Sequence, residues 1–238
     1  MMHIRIKIYE GGTSMRFIGI TGGIGAGKSA ILSYLAQKSD TKVMLADEIA
    51  HKLMQPGTEC YNKIVQHFAG EDIFSSPVFK EHDTIVSQAE LLVAHKIEKK
   101  EPKNMPFDSG KLANIIFSDE KKRISLNAIV HPAVKDYVKE VYQKETKKGK
   151  LKLLVLEAAL LIEDNYDEIC DEIWYIHTSE DIRRKRLIES RGYSNEKIDS
   201  IFRSQLSEQT FRDNSSVVID NNGTTEETFR QIERALRR

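Results

Sequence analysis

The chain has 238 residues, enough to bury a real core as one elaborated domain or two small ones. Its 36 basic and 36 acidic side chains cancel, which gives no reason to expect nucleic acid or an anionic membrane as a partner, and 40% hydrophobic with 30% charged residues suits a folded chain, not a disordered one. No run approaches the ~18 apolar residues of a membrane helix, and the opening MMHIRIKIYE interleaves charge with apolar residues, unlike a signal peptide; the expected compartment is the cytoplasm.

Residues 1–14, with Gly11 and Gly12 ahead of Met15, are expected to form an extension outside the fold. Phe17–Thr21 reads as a short apolar strand, Gly22–Gly27 as a turn, and Lys28–Lys38 as a helix with Ile31, Leu32 and Leu35 on one side. A second strand near Lys42–Leu45 runs into a helix from about Asp47 to Met54, stopped by Pro56 and Gly57. From Cys60 to Lys150 the patterns are mostly helical: Tyr61–Phe68, Ser87–Lys100, Gly110–Phe117, and Glu120–Lys148 with an interruption at His131 and Pro132. The pieces EDIFSSPVFKEHD and KKEPKNMPFDSG read as surface connections. Cys60 and Cys170 have neither CxxC nor metal-ligand spacing and read as reduced thiols.

KLLVLEAAL, Lys152–Leu160, reads as a buried strand because its apolar residues run together. EIWYIHT, Glu172–Thr178, is another. A basic helix follows from Glu180 to about Arg191, then an amphipathic one carrying Ile198, Ile201, Phe202 and Leu206. Val217–Asp220 is the last strand and Glu226 towards Arg237 the last helix. Five strands alternating with helices predict an α/β fold, a five-stranded parallel sheet covered on both faces. The core is expected over 15–59 and 151–238, with a mostly helical insertion over 60–150.

Gly22–Ser29, GGIGAGKS, fits G-x-x-x-x-G-K-[ST] between a predicted strand and a predicted helix. In that setting the backbone of Gly23, Ile24, Gly25, Ala26 and Gly27 cradles phosphate, aided by the helix terminus. Lys28 is expected to reach the β- and γ-phosphates of a nucleotide, and the Ser29 hydroxyl to be a ligand for Mg2+. The bland alternative, a glycine-rich turn, has no use for Lys28 and Ser29. Asp220–Gly223, DNNG, has DxxG spacing, but no NKxD follows, which argues against a GTPase.

Asp47 follows the second strand, on the sheet edge where ligands of parallel sheets bind. It suits a base or aligner for an acceptor hydroxyl, with a helix cap as the bland alternative. Glu157 ends the third strand, where an acid can hold Mg2+ through water; Glu163 belongs either to the site or to the next helix. Arg183, Arg184, Lys185, Arg186 and Arg191 form either a solvated face or a lid, over about 180–210, that neutralises charge in phosphoryl transfer.

Taken together, ITGGIGAGKS, LADEIAHKLMQPG, GKLANIIFSDEKKRISLNAIVHP, LLIE, TSEDIRRKRLIESRGYS and VIDNNG resemble the dephospho-CoA kinase family over nearly the whole chain from Met15. The resemblance implies a P-loop nucleotide-kinase core with a helical CoA-binding insertion and a lid. It implies phosphorylation of the ribose 3′-hydroxyl of dephospho-CoA by ATP, the last step of coenzyme A biosynthesis. It makes Asp47 the base or aligner, matches Arg186 and Arg191 to lid arginines, and puts Asn221 near the adenine. His131 and Pro132 match the family's His-Pro; with His51, where arginine is usual, they are expected to touch substrate. Leu45 replaces a family acid, Ser109 follows Asp108 where arginine is common, Ala159 replaces a proline, and the stretch from about Glu71 to Phe107 is longer than in the family. The competing readings are another nucleoside or nucleotide kinase, and a nucleotide-binding regulatory ATPase. The oligomeric expectation is a monomer or a weak homo-oligomer.

Overall fold

The computed structural model describes residues 15–74 and 105–238. The extension 1–14 and the helix expected over Ser87–Lys100 lie outside these described residues. No helix among them is long and apolar enough to cross a membrane. The chain forms two compact units, one of residues 15–48 with 135–238 and one within 49–134.

The first unit is built on five parallel strands, β1 (Arg16–Thr21), β2 (Thr41–Leu45), β3 (Leu153–Glu157), β4 (Glu172–His177) and β5 (Val217–Asp220), in the order β2-β3-β1-β4-β5. β1 is central, pairing Ile20 with Glu157 on one side and with Trp174 on the other. Every strand therefore ends on the same edge, and the register aligns Leu45 with Glu157 and His177 with Asp220. The four apolar residues of β3 are all buried, as a strand covered on both faces requires.

Alternation along β1 sends Ile18 and Ile20 to one face, where they join Ile31, Leu35, Val155, Trp174, Ile176 and Ile232. Helices α1 (Lys28–Ala36) and α9 (Thr225–Leu236) supply the cover there. On the other face Phe17 stacks on Tyr142, with ring centroids 5.3 Å apart, and Gly19 admits Ile173, Cys170 and Leu161 so closely that a Cβ would lie 2.8 Å from the Ile173 side chain. Beyond β4 the chain forms α6 (Glu180–Arg191), α7 (Asn195–Ser204) and α8 (Glu208–Asp213). The short α8, capped by Ser207, stacks Phe211 on Tyr175 at 4.9 Å and was not anticipated from periodicity, because six residues are too few to display one. Cys60 and Cys170 are buried and form no disulfide.

Helix α2 (Ala46–Leu53) leads into the second unit, which contains α3 (Glu59–His67) and α4 (Ser109–Ser118). Asp108 caps α4, accepting from the Gly110 and Lys111 N–H groups, so the residue after it, Ser109, begins the helix. The expected surface connections are partly structural at their ends. Ile73 is fully buried, its carbonyl accepts from the Asp108 N–H, Phe74 bridges Phe107 in antiparallel fashion, and Tyr61 stacks on Phe107.

Helix α5 spans Glu120–Lys148 with Pro132 inside it, so the expected interruption at His131 and Pro132 does not occur. Proline removes one N–H from the ladder, but buried residues at four-residue spacing, Leu126, Val130, Val134 and Val138, continue straight through it. The unit boundary falls after Val134, ahead of the expected 150, because the second half of α5 belongs to the sheet: Val138 is buried, Tyr142 stacks on Phe17, and Glu145 pairs with Lys42 at 3.1 Å.

Candidate active site

The site lies in the first unit, at the carboxyl edge of the sheet. β1 ends at Thr21 and the chain turns through Gly22–Gly27 into α1, whose first residue is Lys28. Gly27 caps this helix at φ 86°, a left-handed conformation, and a Cβ there would lie 2.4 Å from the Asn221 amide nitrogen. Both facts demand glycine. The first turn of α1 contains no acidic residue, whereas α2, α6 and α9 each carry two. The positive end of α1 is thus left without an internal counter-charge, as a phosphate-binding terminus requires.

A loop that turns its N–H groups towards a ligand must satisfy its carbonyls elsewhere. Here each carbonyl from Gly22 to Gly27 meets a donor. Lys28 Nζ donates to Gly22 at 2.7 Å, the Ala26 N–H to Gly23 at 3.1 Å, Arg183 Nε to Ile24 at 2.8 Å, and Arg186 Nη1 to Gly25 at 3.4 Å. Ala26 accepts from Asn221 Nδ2 at 2.7 Å and Thr178 Oγ1 at 3.0 Å, and Gly27 from the Ala30 N–H at 3.3 Å.

Three charged groups converge beside this loop. Lys28 Nζ lies 3.6 Å from Glu157 Oε1, at the end of β3, and both side chains are only 17% exposed. Burial pushes the Lys28 ammonium below the ordinary lysine range; Glu157 opposes this and the charge of Arg183 adds to it. Burial likewise pushes the Glu157 carboxyl above the usual carboxylate range, against the pull of Lys28 and with the push of Asp47. Asp47 is close enough to bias both. It is exposed and stands inside α2, as the second residue of a helix that starts at Ala46, so it does not occupy the cap position that was its alternative reading. Ser29 is exposed in the first turn of α1, and Glu163 is exposed in the turn after β3.

The remaining expected residues separate. Asn221 is a brace: its Nδ2 holds the Ala26 carbonyl, its Oδ1 accepts from Thr228 at 2.8 Å, and its own carbonyl accepts from Arg186 Nη2 at 3.2 Å. Arg186 faces the loop. Arg191, at the end of α6, is exposed with its guanidinium 5.9 Å from the Tyr193 ring. His51, His131 and Pro132 belong to the second unit; His51 is exposed and pairs with Gln55, while His131 is half-buried in α5 beside exposed Pro132. Sequence reasoning passed over Thr178 and gave Arg183 no role of its own. The signal for Arg183 was present, since it stands four residues before Leu187 on the face of α6 that is buried.

The dephospho-CoA kinase family profile matches residues 16–78 and 103–227, leaving out only part of the 71–107 stretch between its two segments. A dephospho-CoA kinase of Fusobacterium nucleatum is 33% identical over 221 residues, covering 93% of this chain and 97% of the relative. One from Shouchella clausii is 32% identical over 219 residues, covering 92% and 96%. The solved dephospho-CoA kinase from Campylobacter jejuni shares the fold, with a TM-score of 0.59 at 18% identity over 94% of this chain and 96% of that one.

Proposed function

The chain belongs to the dephospho-CoA kinase family and has its ATP-dependent kinase activity, and we propose the following route by which its residues move a phosphoryl group from ATP to the ribose 3′-hydroxyl of dephospho-CoA. The observation that carries this route is the convergence of Lys28, Glu157 and Asp47 beside the loop Gly22–Gly27. The loop N–H groups and the end of α1 receive the β- and γ-phosphates, displacing the Lys28 ammonium from the Gly22 carbonyl onto phosphate oxygens.

The donor set fits a nucleotide-bound magnesium ion. Among the described residues no three His, Cys, Asp or Glu side chains gather to hold a metal by themselves, so a hard cation here draws on the Ser29 hydroxyl, Glu157, water and phosphate oxygens. Bound there, Mg2+ supplies positive charge to the transferring phosphoryl group. Glu157 keeps Lys28 positioned, and its negative charge favours the cationic forms of its neighbours.

Asp47 aligns the acceptor hydroxyl and takes its proton as the new oxygen–phosphorus bond forms and the bond to the β-phosphate breaks. A loose transition state spreads charge over the phosphoryl oxygens; Arg186 turns from its long contacts with the loop to meet it, and Arg191 follows from the exposed end of α6. Asn221 serves ATP by fixing the loop at Ala26. The second unit, with His51, His131 and Pro132, binds the CoA portion of the acceptor, and the protein works in the cytoplasm.

The test is mass-spectrometric: purified protein with Mg·ATP and dephospho-CoA, beside AMP, adenosine and no acceptor. The expected product is dephospho-CoA made one phosphoryl group heavier, with the other acceptors unchanged. Phosphorylation of AMP instead would refute the acceptor, and equal ADP release without acceptor would refute transfer.

A further inference from the structure

Arg183 is the one arginine among the buried residues of the described chain, 9% exposed, and three independent contacts fix it. Its Nε donates to the Ile24 carbonyl at 2.8 Å, at the tip of the phosphate loop. Its Nη2 donates to Gln205 Oε1 at 2.5 Å, just beyond α7, and its guanidinium lies 4.3 Å from the centroid of the Phe202 ring. The guanidinium also fills the space over Gly23, where a Cβ would come within 2.4 Å of Cζ. Gly23 is therefore small to admit this arginine as well as phosphate. Arg186, one turn on, differs: its contacts with Gly25 and Asn221 are 3.4 and 3.2 Å long and it is half-buried.

We propose that Arg183 is a positioning residue for ATP: it clamps the Ile24 carbonyl to the α6–α7 pair and so holds the tip of the phosphate loop with its N–H groups turned to the phosphates. The two arginines of one helix then divide the work. Arg183 spends its Nε and Nη2 on protein and stays in place, while Arg186 is held loosely enough to be exchanged for phosphate. A planar fork that bonds in two directions and stacks on an aromatic ring suits a clamp, and a lysine ammonium cannot reproduce all three contacts.

This inference rests on the loop being the ATP site, so the experiment separates the two. Wild-type full-length chain, Arg183→Gln, Arg183→Lys and Gln205→Ala are titrated with Mg·ATP by calorimetry and assayed with dephospho-CoA. Arg183→Gln is expected to raise both Kd and KM for ATP about tenfold, the order set by a lost charged hydrogen bond, with kcat within about twofold of wild type. Arg183→Lys should recover part of that loss, and Gln205→Ala should show a smaller rise in KM at unchanged kcat. Unchanged KM in folded Arg183→Gln overturns the clamp, as does a fall in kcat alone. If Arg183→Gln does not fold, unchanged KM in Gln205→Ala overturns it instead. Failure of the wild-type chain to bind Mg·ATP would sink the function assignment and the clamp with it, whereas normal wild-type turnover beside an unaffected Arg183→Gln sinks the clamp alone.

Discussion

Lys28 Nζ stands 3.6 Å from Glu157 Oε1, and burial pushes the two groups in opposite directions, the ammonium towards losing its proton and the carboxylate towards gaining one. Keeping the pair charged therefore runs against the preference of its surroundings, a cost that a purely structural ion pair has little reason to carry.

Breaking the pair from one side leaves a charge without its partner. Glu157→Gln should therefore lower unfolding free energy by about 2 kcal/mol, less than the roughly 3–5 kcal/mol typical of a fully buried pair because each side chain keeps 17% exposure. Lys28→Met/Glu157→Gln should be more stable than Glu157→Gln alone while transferring no phosphate. Urea denaturation checks the first statement and turnover the second; additive losses in the double variant would show that the two side chains do not interact.

The pH dependence follows from the signs. A carboxyl raised in the folded state gives stability that is present below its unfolded value and lost as pH rises through its folded value. A lysine lowered in the folded state gives stability present above its unfolded value and lost as pH falls through its folded value. The fold therefore carries both costs wherever the pH lies between the raised Glu157 value and the lowered Lys28 value. In the ligand-free protein, carbon NMR of the Glu157 carboxyl should report titration above the usual carboxylate range, moving further up in Lys28→Met, where the opposing ammonium is gone. A Glu157 titration at or below the ordinary range would contradict the geometry.

Asp47→Asn keeps the size of the side chain and removes its base. ATP binding should stay within about twofold of wild type, while kcat falls about 10²- to 10⁴-fold, the usual contribution of a positioned base. Calorimetry and steady-state kinetics separate the two quantities. Wild-type turnover in this variant would leave Asp47 with no more than its favourable place in the first turn of α2.

Gly27→Ala combines a left-handed backbone with a Cβ placed 2.4 Å from the Asn221 amide. It should destabilise the protein by more than the ~1 kcal/mol of strained backbone alone and weaken ATP binding, whereas Asn221→Ala, which removes the brace but no glycine, should cost about 1 kcal/mol. Thermal melts with and without Mg·ATP check both: without nucleotide Gly27→Ala should melt below Asn221→Ala, and both variants should lose part of the nucleotide-induced rise in Tm.

Local chemistry made much of this legible in advance. The loop Gly22–Ser29 is contiguous, so its glycines, lysine and serine declare themselves without a fold, and β3 is recognisable because a strand buried on both faces has no polar alternation. Asp47 and Glu157 could be placed on one edge as soon as parallel strands were assumed. What the sequence did not reveal depends on residues far apart in the chain. Arg183 looked like one of several charges of a solvated face or a lid, because its partner, the Ile24 carbonyl, lies 159 positions earlier. Asn221 was expected near the nucleotide, and nothing in the sequence showed that the two ends of its amide also hold Ala26 and Thr228. Pro132 looked like a break, yet the buried stripe around it keeps α5 continuous. The sequence by itself determined the phosphate loop, the alternation of strands and helices, and the family. Only the tertiary structure decided which side chains hold that loop open, because hydrogen-bond partners across a sheet edge are set by strand order and register, and those arise when distant segments pack together.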